Sequence, residues 1–197
     1  EPGPRQRRKT HRTARMTTHA LENERLHLAS LLEAIQRCVY FLAASDHRLS
    51  WPLTAAFLNE NKKNIDLFET LAAVNERFAK LQDTMGAAMR HAGLLAGEPG
   101  DTFLKVLSFY EKIGVIDSVT AWQLCRTTRN LAAHDYETEY TEIAEHFNSL
   151  HTLIPTLYGS ANRFLNYCAT ALDMSPSPGH FVDDFVRVVN NLTNDVR

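Results

Sequence analysis

Apolar residues that step by four and three constrain this chain most. From Leu67 they run through Leu71, Val74, Phe78, Leu81 and Met85 to Ala88. They stay on one face of an α-helix, because residues three and four apart are neighbours on its surface. The seam is long and narrow, closer to coiled-coil spacing than to a broad globular face, which predicts a long helix in an antiparallel bundle. A second pattern lies upstream, over residues 18–43. There Leu21, Leu28, Ile35 and Leu42 recur every seven residues, with Leu32 and Val39 in the second core position. No segment alternates apolar and polar residues as a strand would, and no internal repeat occurs. The expected fold class is all-α.

Breakers divide the rest. SWPLT separates the first two patterns, with Pro52 suited to a helix's first turn. The polar stretch NENKKN, residues 59–64, either interrupts the next helix or lies on its solvated face. GLLAGEPGD ends the long helix, with Gly97, Pro99 and Gly100 as breakers and Asp101 as the expected N-cap. A short helix over residues 102–113 follows, and Asp117 or Ser118 caps the next, which runs to about His134. A further helix, about 139–172, is apolar at Tyr140, Ile143, Phe147, Leu150, Ile154, Leu157, Ala161, Phe164 and Cys168. Pro155 is expected to kink it. SPSPG is a linker, and Phe181, Phe185, Val188 and Leu192 mark a final amphipathic helix. The organisation expected is a tail at 1–17, a helical domain at 18–172, and a linker with a C-terminal helix at 173–197.

At 197 residues, 44% hydrophobic and 22% charged, the chain can bury one domain core. Its net charge of −2 hides an asymmetry: residues 1–15 hold six basic residues against Glu1, so the remainder carries −7. The opening EPGPRQRRKTHRTAR lacks apolar periodicity and reads as disordered. It is either a nucleic-acid-binding arm or, the favoured reading, added or upstream-translated sequence before a start at Met16. No apolar stretch follows it, which argues against a secretory signal, and no run of about 18 apolar residues predicts a membrane span. Cys38, Cys125 and Cys168 are odd in number, far apart and set in apolar patterns. Buried reduced thiols and a cytoplasmic setting are expected.

Familiar chemical signatures are missing: there is no glycine-rich phosphate loop, CxxC, HExxH or GxSxG. Glu142 and His146, with His151 beyond, lack the spacing for a third zinc ligand, so no metal is expected. RNLAAHDYE, residues 129–137, stands out instead. Arg129 falls among Trp122, Cys125, Ala132 and Ala133 on the apolar stripe, where a guanidinium must find a carboxylate, a phosphate or an exit to water. It could also snorkel, or pair with an acid on a neighbouring helix. At 100° per residue Tyr136 shares Arg129's face, whereas His134 is displaced by about 140°. One helix would therefore not close Arg129 and His134 on a single phosphate, but two copies across a symmetry axis could. The small side chains of Ala132 and Ala133 would permit that approach. A helix C-terminus and the acids Asp135, Glu137 and Glu139 favour a protonated His134, which suits acid–base work near neutral pH.

RNLAAHDY resembles the R-x4-H-x-Y motif of HEPN-domain proteins, in particular the HepT-type toxins encoded beside a minimal nucleotidyltransferase (MNT) antitoxin. The order of antiparallel helices, with the motif on a late one, is similar too over about residues 18–172. The resemblance implies an antiparallel HEPN-like helical bundle with a C-terminal helical extension, working as a homodimer. It implies an endoribonuclease that needs no metal and no cofactor, with RNA as substrate, an MNT-type nucleotidyltransferase as partner and no membrane. On this resemblance Arg129 would bind the scissile phosphate, and Asn130 would position it or hold the arginine. His134 would act as general base or acid while the RNA 2′-OH attacks the adjacent phosphorus. Tyr136 would be the residue that the partner AMPylates to block the cleft.

Two features differ from that pattern. The chain from Met16 is acidic, with only Arg126, Arg129 and Lys105 or Lys112 near enough in sequence to suggest a basic patch. DYETEY adds acids beside the motif. They leave open a non-catalytic HEPN module that binds a nucleotidyltransferase and presents its substrate. A plain helical adaptor with a structural arginine–acid pair is the third reading.

Overall fold

A computed structural model describes residues 4–98, 100–131 and 139–194. These form α1 (Pro4–Asp46), α2 (Ala55–Glu60), α3 (Ile65–Leu95), α4 (Phe103–Lys112), α5 (Val119–Leu131), α6 (Tyr140–Leu172) and α7 (Val182–Asn194). Among the described residues there is no strand, so the protein is all-α. The seam of α3 is buried at all seven positions from Leu67 to Ala88. α1 contributes Leu28, Leu32, Ile35, Val39 and Leu42, while Leu21 is exposed, so its seam begins one heptad later than the leucine spacing implies.

Cross-helix contacts fix the directions. Glu24 meets His91, and Phe41 and Ser45 meet Arg77, so α1 and α3 are antiparallel. Gly86 lies beside the Trp122 ring and the Ala79 carbonyl accepts from Arg129, so α5 also runs against α3. Asp46 pairs with His151, and Asp173, just beyond α6, accepts from Arg25, which sets α6 against α1. α3 is the hub, packing on α1, α4, α5 and α6. Tyr110 locks α4 to it: the ring is fully buried and Oη donates to the Met89 carbonyl at 2.9 Å.

Local chemistry corrects several expectations. Thr54 caps α2, accepting from the Phe57 N–H, so Pro52 lies before the helix. The stretch 59–64 does interrupt: a turn separates α2 from α3, and Asn64 caps α3 by accepting from the Leu67 N–H. Thr102 caps α4, leaving Asp101 free to pair with Lys105 at 2.8 Å. At α5 the choice falls on Ser118, whose Oγ accepts from the Ala121 N–H, while Asp117 pairs with Arg163. α6 continues through Pro155, with Ile154 and Leu157 buried on either side. α1 extends back to Pro4, through the basic stretch read as disordered. Arginine, lysine, glutamine and alanine there are good helix formers, and extending an existing helix is cheaper than nucleating one.

One segment, His19–Asp46, is long and apolar enough to cross a membrane by length and composition, contrary to the expectation of no such run. Its Leu28, Leu32, Ile35, Val39 and Leu42 face the protein core. α7 packs Phe185 and Val189 onto the bundle against α1 and α6. Its docking rests on Glu33, a buried carboxylate on α1 that accepts from Gly179 N–H at 2.9 Å and His180 N–H at 3.1 Å. Nothing in the spacing of residues 175–179 announces that partner.

Candidate anion-binding cleft

Arg129 reaches its place because α5 buries one stripe against the bundle. Trp122, Cys125 and Thr128 are buried at steps of three, and Arg129 flanks them at the last turn. From there the guanidinium crosses to α3. One terminal nitrogen donates to the Ala79 carbonyl at 2.7 Å and the other to Asp83 Oδ1 at 2.7 Å. The arginine side chain is only 11% exposed, whereas that of Asp83 is 65% exposed. The pair therefore has one foot in the protein and one in water. Nε of Arg129 is buried and has no hydrogen-bond partner among the described residues.

This pair forms one wall of a cleft of about 260 Å³ between α3, α4 and α5. Two more arginines line it. Arg126 stands one turn before Arg129 on α5, and Arg90 stands seven residues after Asp83 on α3. Both are exposed, and neither has a carboxylate partner among the described residues. Arg90 lies over the Phe103 ring with its guanidinium carbon 5.2 Å from the centroid. That ring packs on α3 at Gly86, where an added Cβ would come within 3.2 Å of Phe103 Cζ. A larger residue at position 86 would displace this aromatic wall.

Beneath lies Gln82, 2% exposed. Its Nε2 donates to the Trp122 carbonyl at 2.8 Å, which fixes the amide orientation and ties α3 to α5. Its Oε1 is left buried without a partner among the described residues. Three guanidiniums against one carboxylate make this a positive site on a domain whose overall charge is negative. Sequence reasoning named Arg126 and Arg129 but missed Arg90, Asp83 and Gln82, all on α3. A seven-residue step from Asp83 to Arg90 around a helical glycine is the signal that could have found the first two.

The other expected site residues divide. Asn130 is exposed and makes no side-chain hydrogen bond among the described residues, so Arg129 is held by Asp83 and Ala79 instead. His134 and Tyr136 lie outside the described residues, as do Ala132 and Ala133. Lys105 is paired with Asp101, and neither it nor Lys112 lines the cleft.

The histidines weighed for metal binding have other partners. His146 faces Asn75 on α3 at 3.3 Å, and burial lowers its pKa. His151 pairs with Asp46 at 2.7 Å and stacks on Trp51. Among the described residues, no group of three or more histidine, cysteine, aspartate or glutamate side chains is placed to hold a metal ion. All three cysteines are free; burial pushes the thiols of Cys125 and Cys168 up to about 11 and about 12. Compared with known protein families, curated proteins and solved structures, the chain finds no match.

Proposed function

We propose that this protein is a HEPN-type endoribonuclease of the HepT kind, the toxin of a toxin–antitoxin pair, working in the cytoplasm as a homodimer. The observation that carries the reading is the arginine cleft. Arg129, the first residue of the R-x4-H-x-Y motif, opens onto it beside Arg126 and Arg90. A phosphodiester needs such a concentration of cationic donors, and an acidic domain must gather them locally. Guanidiniums are suited to the task because they present planar, paired donors.

In this mechanism the 2′-oxygen of RNA attacks the neighbouring phosphorus as His134 takes the 2′-OH proton. The bond from phosphorus to the 5′-oxygen breaks, and that oxygen receives a proton. The products are a 2′,3′-cyclic phosphate and a 5′-OH. Arg129 offsets charge developing on the phosphoryl oxygens, and Asn130 helps position the group. The nucleophile belongs to the RNA itself, so positioning and fixed charge supply much of the rate without a metal or cofactor. In this mechanism His134 is supplied by the second copy. An MNT-type nucleotidyltransferase silences the site by transferring AMP from ATP to the Tyr136 hydroxyl, releasing pyrophosphate.

The test is cleavage of RNA by purified protein in EDTA, with Arg129→Ala and His134→Ala each removing nearly all activity while the chain stays folded. Cleavage that persists in His134→Ala, or that needs added magnesium, overturns this mechanism. A monomer at micromolar concentration by light scattering overturns the two-copy site.

A second reading has its own support. Asp83 and the Ala79 carbonyl already meet the two terminal nitrogens of Arg129, as a structural arginine–acid pair requires. On that reading the chain is a non-catalytic HEPN module that binds a nucleotidyltransferase and presents its substrate. Inactivity on every RNA, together with stable binding of the nucleotidyltransferase, favours it.

A further inference from the structure

Two of the cleft's arginines are surplus to holding one scissile phosphate. Arg126 lies three residues before Arg129 on α5, and such neighbours stand about 5–6 Å apart at Cβ. Arg90 approaches from α3, its guanidinium already resting on the Phe103 ring. Between them the cleft is about 260 Å³, room for one extended nucleotide and too small for a duplex groove. Gln82 lines it; its buried Oε1 lacks a donor among the described residues, and Trp122 fixes the amide so that rotation cannot cure the lack. An unsatisfied buried acceptor is costly, and a ligand that supplies the donor recovers that cost.

We propose that this cleft is a nucleotide subsite beside the scissile position. Arg90 and Arg126 bind the phosphodiester adjoining the one on Arg129, and the attached base enters along Phe103 towards Gln82. The N–H edge of a base, an exocyclic amino group or a ring imino N–H, brings the donor that Oε1 lacks, so single-stranded RNA with an unpaired base here is the preferred substrate. Single-stranded recognition by stacking and base-edge hydrogen bonds is the general way RNA sequence is read. The inference rests on the ribonuclease reading and adds to it the residues that set affinity for an unpaired nucleotide. These are positioning residues; the reacting atoms are elsewhere.

The experiment measures cleavage and anisotropy binding of fluorescent single-stranded oligoribonucleotides in EDTA, with the full chain and with Arg90→Gln, Arg126→Gln and Arg90→Lys. Each glutamine variant is expected to raise KM about tenfold with kcat changed less than about twofold, and to reduce the slope of log affinity against log salt by about 0.7, the loss of one phosphate contact. Arg90→Lys should recover part of the affinity and all of the salt slope. Both arginines are exposed, so unchanged thermal midpoints will verify folding. A wild-type enzyme that cuts RNA while the variants keep KM and salt slope refutes the subsite and leaves the ribonuclease reading standing. Loss of kcat at unchanged KM also refutes it. A wild-type chain that neither binds nor cuts RNA overturns both.

Discussion

Replacing Asp83 by asparagine separates a working Arg129 from a merely structural one. Asp83 Oδ1 occupies the guanidinium face at 2.7 Å, where a phosphate oxygen would have to sit. A phosphate bound there would lie about 5 Å from the carboxylate, a repulsion between roughly 1 and 3 kcal/mol for effective dielectric constants of about 80 to 20. Because the Asp83 side chain is 65% exposed, solvent screening puts the value near the lower limit, about 1 kcal/mol. Asparagine is almost the same size and keeps an acceptor oxygen for Arg129, so the change removes charge and little else. Asp83→Asn should therefore bind single-stranded RNA about fivefold tighter at low salt, with the gain fading as the Debye length shortens.

Stability should move the other way, and little. An ion pair this open is worth about 0.5–1 kcal/mol, equivalent to about 1–4 °C in Tm for a domain of this size. Anisotropy titrations at about 50 mM and about 500 mM salt, paired with thermal melts, measure both quantities. If RNA binding is unchanged or weaker in Asp83→Asn while Tm falls, Arg129 holds helices together and the phosphate role is lost. The opposing signs make the test decisive, because general damage to the fold would lower both.

Three further outcomes follow from the packing. Removal of the Glu33 carboxylate in Glu33→Ala takes two charge-assisted hydrogen bonds from Gly179 and His180, and should cost about 2–4 kcal/mol, with faster amide exchange concentrated in α7. Burial lowers the pKa of His146, so the native state resists its protonation. The stabilisation from its neutral form is present above the unfolded value of about 6.5 and is lost as pH falls below it, so His146→Gln should flatten the urea midpoint between about pH 7 and pH 5. Burial raises the pKa of all three thiols, but Cys38 is half-buried while Cys125 and Cys168 are buried, so brief iodoacetamide treatment of the native protein should label Cys38 first, as intact mass and peptide mapping will read.

The sequence carried the helices well because each is written locally. The seven positions from Leu67 to Ala88 needed no knowledge of what they pack against to be recognised as one buried face. Helix starts were read less well, since neighbouring residues compete for one cap: Asp101 and Thr102 both qualify, and the pairing of Asp101 with Lys105 leaves the cap to threonine. Glu33 could not be read at all. An acidic residue on a core-facing helix looks like an error in the pattern until the N–H groups of Gly179 and His180, remote in sequence, arrive to satisfy it.

The cleft divides along the same line. Arg129 drew notice because a guanidinium on an apolar stripe demands an anion, a demand visible from one helix alone. Its answer, Asp83, and its companion, Arg90, both sit on α3, and only the antiparallel packing of α3 and α5 brings them beside Arg126 and Arg129. The apparent objection that this domain is too acidic for RNA dissolves for the same reason. Net charge sums over the whole surface, while a phosphate feels mainly charges within about a Debye length, about 8–10 Å at ordinary salt. Within the cleft the balance is three arginines to one aspartate, and that aspartate is exposed enough to yield its place. The structural pair and the proposed phosphate site are thus compatible states of one arginine. Asp83 satisfies the guanidinium at 2.7 Å, which keeps a partly buried charge from destabilising α5, and on the proposed reading a bound strand would take over the same donors.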